Sequence, residues 1–277
     1  MTSKYLVYLT HNLQVYRRLV GVQLRSQLAY RGQFALDTLS TFVVTGLEFA
    51  SLALVFSRFE QIQGWTLAEV AFLYGLVEMA FGIMDLVFAG FDPHVFGDRV
   101  RLGSFDQMLL RPINLTVQVF GSDLTLRRLG KITVGVGIFS YALSNATIVW
   151  SVPKLLYVVV TGVSLILFFG ALFIAGATIT FWTVNSVEAL NIFTYGGSYM
   201  MSYPMHIYQT WLRRFFTFIV PAAFLNYYPA LYVLDKPDPF NLPRVMQFVA
   251  PGVGIAMFLL ALMFWRYGIS KYQSTGT

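Results

Sequence analysis

Five polar residues stand at helical spacing inside the first long apolar run. Asp37, Thr41, Thr45, Glu48 and Ser51 follow one another at steps of four, four, three and three, which puts them on one stripe of an otherwise apolar helix. The second run repeats the idea with Ala71, Gly75, Glu78, Gly82, Asp85 and Ala89 on one face. An acid deep in an apolar helix costs a few kcal/mol unless it is paired or hydrated, while small residues let helices approach closely. Two chemistries fit. Glu48 and Glu78 near mid-depth, with Asp85 nearer the inner end, could line a cavity for cationic, amphipathic substrates. The same residues could instead form a polar network that holds the two helices together. No lysine or arginine lies mid-span to pair the acids, which tilts the choice towards the cavity.

A second group is aromatic. Tyr199, Tyr203, Tyr208, Trp211, Phe215, Phe216, Tyr227, Tyr228 and Tyr232 crowd into one stretch. Aromatic faces bind organic cations, so Tyr203, Trp211, Tyr227 and Tyr228 join Thr45 and the acids as substrate-path candidates. An interfacial belt uses the same residues and is the favoured reading. Catalysis and metal binding find no support. The chain has no cysteine, and His11, His94 and His206 are too scattered for a metal site. The segment "LRRLGKIT" has Thr125 where a phosphate-binding loop has its first glycine, and Ile132 where it has Ser or Thr. Any ATP must therefore be handled by a partner.

These residues sit in a chain that is 57% hydrophobic and 12% charged, with mean hydropathy +0.64. A soluble domain carries about 25% charged residues, so the composition specifies an integral membrane protein, and its apolar runs of about 20 residues make it all-α. The net charge of +6 would suggest nucleic acid only if the cations lined a soluble surface. They fall between apolar runs, where cytoplasmic loops hold them. Residues 5–30 read as an amphipathic helix lying in the headgroup layer, with Leu6, Leu9, Leu13, Tyr16, Val20, Leu24 and Leu28 on one stripe. The stretch from Lys4 to Arg31 is too polar for a cleavable signal.

Spans are expected near 34–57, 67–91, 132–150, 154–182 and 246–266. Thr66 followed by Glu69 forms a capping box that starts the second. Residues 183–235 leave two readings open. Either 185–203 is the fifth span, followed by a broken aromatic hairpin at 204–235 dipping from the outer face, or 212–233 is the span. Both give six spans in a single membrane domain with cytoplasmic termini. The loop at 92–131 carries six cations against Asp92, Asp98, Asp106 and Asp123, which places it inside. Within it, Asp92-Pro93 starts a short helix ended by Gly103, Ser104 serves as the N-cap of another turn, and Arg111-Pro112 stops that turn. Asp98, Arg99, Arg101 and Asp106 then offer a docking surface.

"VRLGSFDQMLLRPIN" contains Val100, Arg101, Gly103, Phe105, Asp106, Leu109, Leu110, Arg111, Pro112 and Asn114. This pattern resembles the cytoplasmic loop of ABC-2 type permeases, in the paired exporter subfamily that includes viologen exporters. "IVPAAFLNYYPA", Ile219 to Ala230, is similar to that family's second signature, with Ala223 a mild departure. The resemblance implies an N-terminal elbow helix, a re-entrant hairpin before the last span, and a permease dimer, preferably of unlike subunits. It also implies a bacterial inner membrane and separate cytoplasmic ATPases that carry ATP and Mg. The loop would then be the coupling helix, with Gly103, Asp106, Arg111 and Pro112 fixing its corner; a structural brace is the bland alternative. A proton-coupled carrier using Glu48, Glu78 and Asp85, or a non-transporting ATPase-linked sensor or immunity component, are the rival functions.

Overall fold

A computed structural model describes residues 2–183, 191–238 and 240–274, and every regular element among them is helical. Helix α1 (Thr2–Ala29) turns at Tyr30 into α2 (Arg31–Phe56). Then come α3 (Leu67–Val87), three short helices α4 (Pro93–Arg101), α5 (Ser104–Leu109) and α6 (Leu115–Gly121), and α7 (Leu129–Asn145). The 32-residue α8 (Val152–Thr183) follows. Short pieces α9 (Gly197–Met201), α10 (Thr210–Arg214) and α11 (Tyr227–Val233) lead to the final α12 (Ala250–Lys271). Helices α2, α3, α8 and α12 are long and apolar enough to cross a membrane. With 17 residues, α7 is about 25 Å long at 1.5 Å per residue.

The expected capping box starts α3. Thr66 N–H donates to Glu69 Oε2 at 2.8 Å, and Glu69 N–H to Thr66 Oγ1 at 3.4 Å. Ahead of it, Ile62 and Trp65 exchange two backbone hydrogen bonds of 3.0 Å across Gln63 and Gly64, both at positive φ. The chain thus reverses sharply before α3 enters the centre of the bundle, where it is the most buried span.

Two helix pairs make the frame, α3 with α7 and α8 with α12, and glycine sets both spacings. A Cβ on Gly75 would lie 2.6 Å from Phe139 N, and one on Gly135 2.7 Å from Met79 N. Likewise a Cβ on Gly254 would meet Ser164 at 2.8 Å, and one on Gly268 would meet Thr178 at 2.6 Å. Backbones this close gain van der Waals contact that lipid tails cannot replace. By contrast α2 is largely exposed along its length.

One end of the bundle is closed by aromatic rings from four segments. Trp265 packs edge-on against Phe91 and Phe96 at 5.1 and 5.3 Å, and stacks on Phe181 at 5.3 Å. Its Nε1 donates to Thr116 Oγ1 at 3.1 Å. The loop helices α4 to α6 are therefore seated on the ends of α8 and α12.

At the opposite end, Glu69 pairs with Lys236 at 2.9 Å and Lys154 with Asp235 at 2.5 Å. Between the ends, residues 191–203 run upward. Tyr195 OH bonds Asp92 at 3.4 Å near the loop end, and Tyr208 OH reaches Met200 O at 3.1 Å beyond α9. Residues 212–233 do not form one straight helix. Thr210–Ile219 and Ala223–Val233 meet at 69°, with Pro221 in the break. Pro229 is tolerated because it lies in the first turn of α11, where its missing N–H would have no helical partner. Asn226, buried at the foot of the bend, donates to Leu73 O at 3.2 Å and Met201 O at 2.8 Å. Leu73 is seven residues past Thr66, so the bend reaches about 10 Å down α3.

Candidate functional site

Glu78 and Asp85 of α3 face the start of α7, where Lys131 and, one residue before the helix, Arg128 are their partners. Glu78 is fully buried, with Lys131 Nζ 3.0 Å from its Oε2. Lys131 also lies 4.7 Å above the Phe81 ring. Asp85 Oδ2 is 2.6 Å from Arg128 Nε. The expectation that no cation pairs these acids is therefore corrected. Helix α7 begins at Leu129 rather than 132, and a long basic side chain reaches beyond its own backbone level. Two of the six cations assigned to the loop turn inward and neutralise α3. The antiparallel order makes both pairs at once, since Glu78 precedes Asp85 on α3 while Arg128 precedes Lys131 on the rising chain.

Glu48 differs. It accepts hydrogen bonds from Tyr199 OH at 3.0 Å and Tyr74 OH at 3.4 Å, and no cation forms an ion pair with it among the described residues. It is half-buried, beside a Tyr199 that is 45% exposed. Tyr203 meets Tyr74 edge-on at 6.5 Å, and Phe49 lies 5.4 Å from Tyr74. A carboxylate ringed by tyrosines offers both the charge and the aromatic faces that a cation uses. Thr45, one turn before Glu48, is the one buried residue among the described side chains of α2.

The remaining aromatic candidates divide. Tyr227 and Tyr228 are buried, not ranged along a surface belt. Tyr227 stacks on Trp65 at 5.9 Å with its hydroxyl 3.3 Å from His206 Nδ1, and Tyr228 stacks on Phe224 at 5.1 Å. Both rings pack the bend. Trp211 is 66% exposed, its Nε1 donating to Gln209 at 2.8 Å.

The loop at 92–128 is built by local capping. Asp92 accepts from His94 N–H at 2.9 Å and Val95 N–H at 3.4 Å, with Pro93 at the first position of α4. Gly103, at φ +68°, ends α4 and caps α5. This corrects the expected Ser104 cap; Ser104 Oγ instead donates back to Arg99 O at 3.2 Å. The turn after α5 is held by Gln118 Nε2, which donates to Met108 O at 3.1 Å and Ile113 O at 3.0 Å.

Not all of the expected docking residues face outward. Asp98 and Arg101 do, paired at 2.8 Å. Arg99 turns inward to Ser122 Oγ, with Asp123 3.8 Å away, so it braces α4 on the loop behind it. Asp106 accepts from Tyr272 OH at 2.8 Å and Ser274 Oγ at 2.6 Å, and it makes no ion pair with Arg111. The outward corner is instead apolar. Leu110 is 86% and Leu102 69% exposed, flanked by half-exposed Leu109 and by Arg101, Arg111 and Pro112. Sequence reasoning missed Lys131, Arg128, Gln118 and Tyr272 as members of these clusters.

No curated protein and no solved structure matches the chain. A family model described as ABC-2 family transporter protein matches residues 42–276. That span takes in Glu48 of α2, the acids of α3 and their cations, the loop and the last helix, and the chain belongs to the ABC-2 transporter family.

Proposed function

We propose that this chain exports a hydrophobic cation past Glu48, driven by ATP hydrolysed on partner subunits docked at the Leu110 corner. Family membership carries the coarser statement: it is a multi-pass membrane permease of an ATP-binding cassette transporter, and such permeases associate with ATPase subunits. One observation carries the finer reading. Glu78 and Asp85 are already neutralised by Lys131 and Arg128, whereas Glu48 is half-exposed among tyrosines with no cation of its own. The Leu102–Leu110 corner, apolar with two arginines at its edge, fits a partner groove that is apolar with an acidic rim.

In this reading α1 lies along the cytoplasmic surface and α2, α3, α7 and α8 are the first four spans. Residues 185–203, of which 185–190 lie outside the described residues, make the fifth, and α12 the sixth. Thr210–Val233 forms a hairpin re-entering from the outside. Both termini and the α4–α6 loop face the cytoplasm of a bacterial cell, ATP and Mg are bound by the partners, and a second, unlike permease completes the dimer.

Proteoliposomes holding the permease complex and its ATPases test this with tetraphenylphosphonium, a permanent cation, and Nile red, which is neutral. Glu48→Gln keeps the shape and removes the charge. Loss of a desolvated charge contact of about 1–3 kcal/mol lowers transport of the cation roughly 5- to 150-fold and spares the neutral dye. Equal loss for both probes overturns the proposal.

A further inference from the structure

Asp106 sits on α5, directly beside the exposed Leu110 corner, yet both of its oxygens are taken by the chain's own C-terminal segment. The ring of Tyr272 packs edge-on against Phe105 at 4.9 Å, so the segment grips α5 by an apolar contact and two hydrogen bonds together. Burial, reinforced by the bond to Asp106 and by its charge, pushes the Tyr272 phenol up to about 12, which keeps it a donor throughout the physiological range. Tyr272 follows α12 immediately, and α12 meets the α8 backbone at Gly254 and packs on the Thr178 and Phe181 side chains at Gly268. A displacement of α5 therefore has a short, hydrogen-bonded route into the last helix. Helix α5 also touches α4 through Phe96, α8 through Phe181 and α6 through Gln118, but the two bonds of Asp106 are what tie its side chain to the segment that follows α12.

We propose that Asp106 is a positioning residue, a latch through Tyr272 and Ser274 that makes α12 follow α5 when a partner ATPase moves the Leu110 corner. The latch rests on the reading of that corner as the docking site, and it adds which helix receives the motion.

The permease complex with its ATPases, reconstituted in proteoliposomes, separates the two ideas. Tyr272→Phe combined with Ser274→Ala removes both donors without touching the exposed corner. Association with the ATPases and hydrolysis should hold, while tetraphenylphosphonium moved per ATP falls about tenfold, the effect of losing a hydrogen bond to a charged group. Leu110→Asp should do the reverse and abolish association; if it does not, the docking site is elsewhere. A second arm is independent of substrate. The chain has no native cysteine, so Asp106→Cys with Ser274→Cys gives one engineered pair. That pair should cross-link under mild oxidation and hold transport per ATP at the wild-type level. Unchanged transport per ATP in the Tyr272→Phe/Ser274→Ala protein, or absence of the cross-link, overturns the latch.

Discussion

Replacing Lys131 by methionine keeps the length and apolar stem of the side chain and removes only the charge facing Glu78. At 3.0 Å and an effective dielectric constant of about 20, the lost Coulomb attraction is about 5.5 kcal/mol. Most of that attraction is offset in the native protein by the cost of desolvating two charges. Removing one partner leaves the cost and deletes the compensation, so Lys131→Met should destabilise the fold by about 3–5 kcal/mol. Adding Glu78→Gln removes the stranded charge and should bring stability back to within about 1 kcal/mol of the starting protein. The five tryptophans provide a fluorescence readout for a denaturant titration in mixed micelles. A single-variant cost below about 1 kcal/mol, or a double variant no more stable than Lys131→Met, would refute the assignment of this pair as the junction between α3 and α7.

Gly75→Ala should cost about 1–3 kcal/mol in the same titration, because its Cβ would press on Phe139 N at 2.6 Å, whereas Gly137→Ala, with nothing within 4 Å, should be neutral or stabilising. Arg99→Met should lower stability by unseating α4 from Ser122, while Arg101→Gln at the exposed edge should leave stability intact and weaken ATPase association, read by co-purification.

The local signals in the sequence translated directly into structure. Thr66 and Glu69 cap α3, Asp92-Pro93 starts α4, and Gly103 takes the left-handed turn that ends it. Each rests on contacts within a few residues, which a linear pattern can encode. The polar network was visible only in half: the acids stood out in apolar runs, but their cations lay just outside the expected span and counted as loop residues. A three-residue error at the start of α7 hid Lys131, and Arg128 sits one residue before that helix begins. The complementary spacing, two acids on a descending helix and two cations on the next rising one, was the signal that could have revealed them. Asp106 was illegible for a different reason. Its partner Tyr272 is 166 positions away, and nothing local distinguishes a carboxylate held by a distant tail from one facing a partner. Tyr227 and Tyr228 have the composition of an interfacial belt, and only the bend at Pro221 turns them inward.

The length of α8 has a mechanical corollary. Its 32 residues measure about 48 Å, against a hydrocarbon thickness of about 30 Å. Tilt alone would have to exceed 50° to fit it inside, more than the 0–40° that spanning helices adopt. Part of α8 must therefore extend beyond the hydrocarbon core, and Phe181 near its end is fixed into the ring cluster under α4 and α5. Hydrophobic mismatch acts on such a helix by changing its inclination, and here the inclination would be transmitted to the α4–α5 platform. A thicker, sterol-like or long-chain bilayer would stand α8 upright and withdraw the platform towards the membrane; a thinner one would lean α8 over and shift the platform sideways. Lipid chain length thus becomes a variable that sets the resting position of the α4–α5 platform, the surface proposed to meet the ATPase.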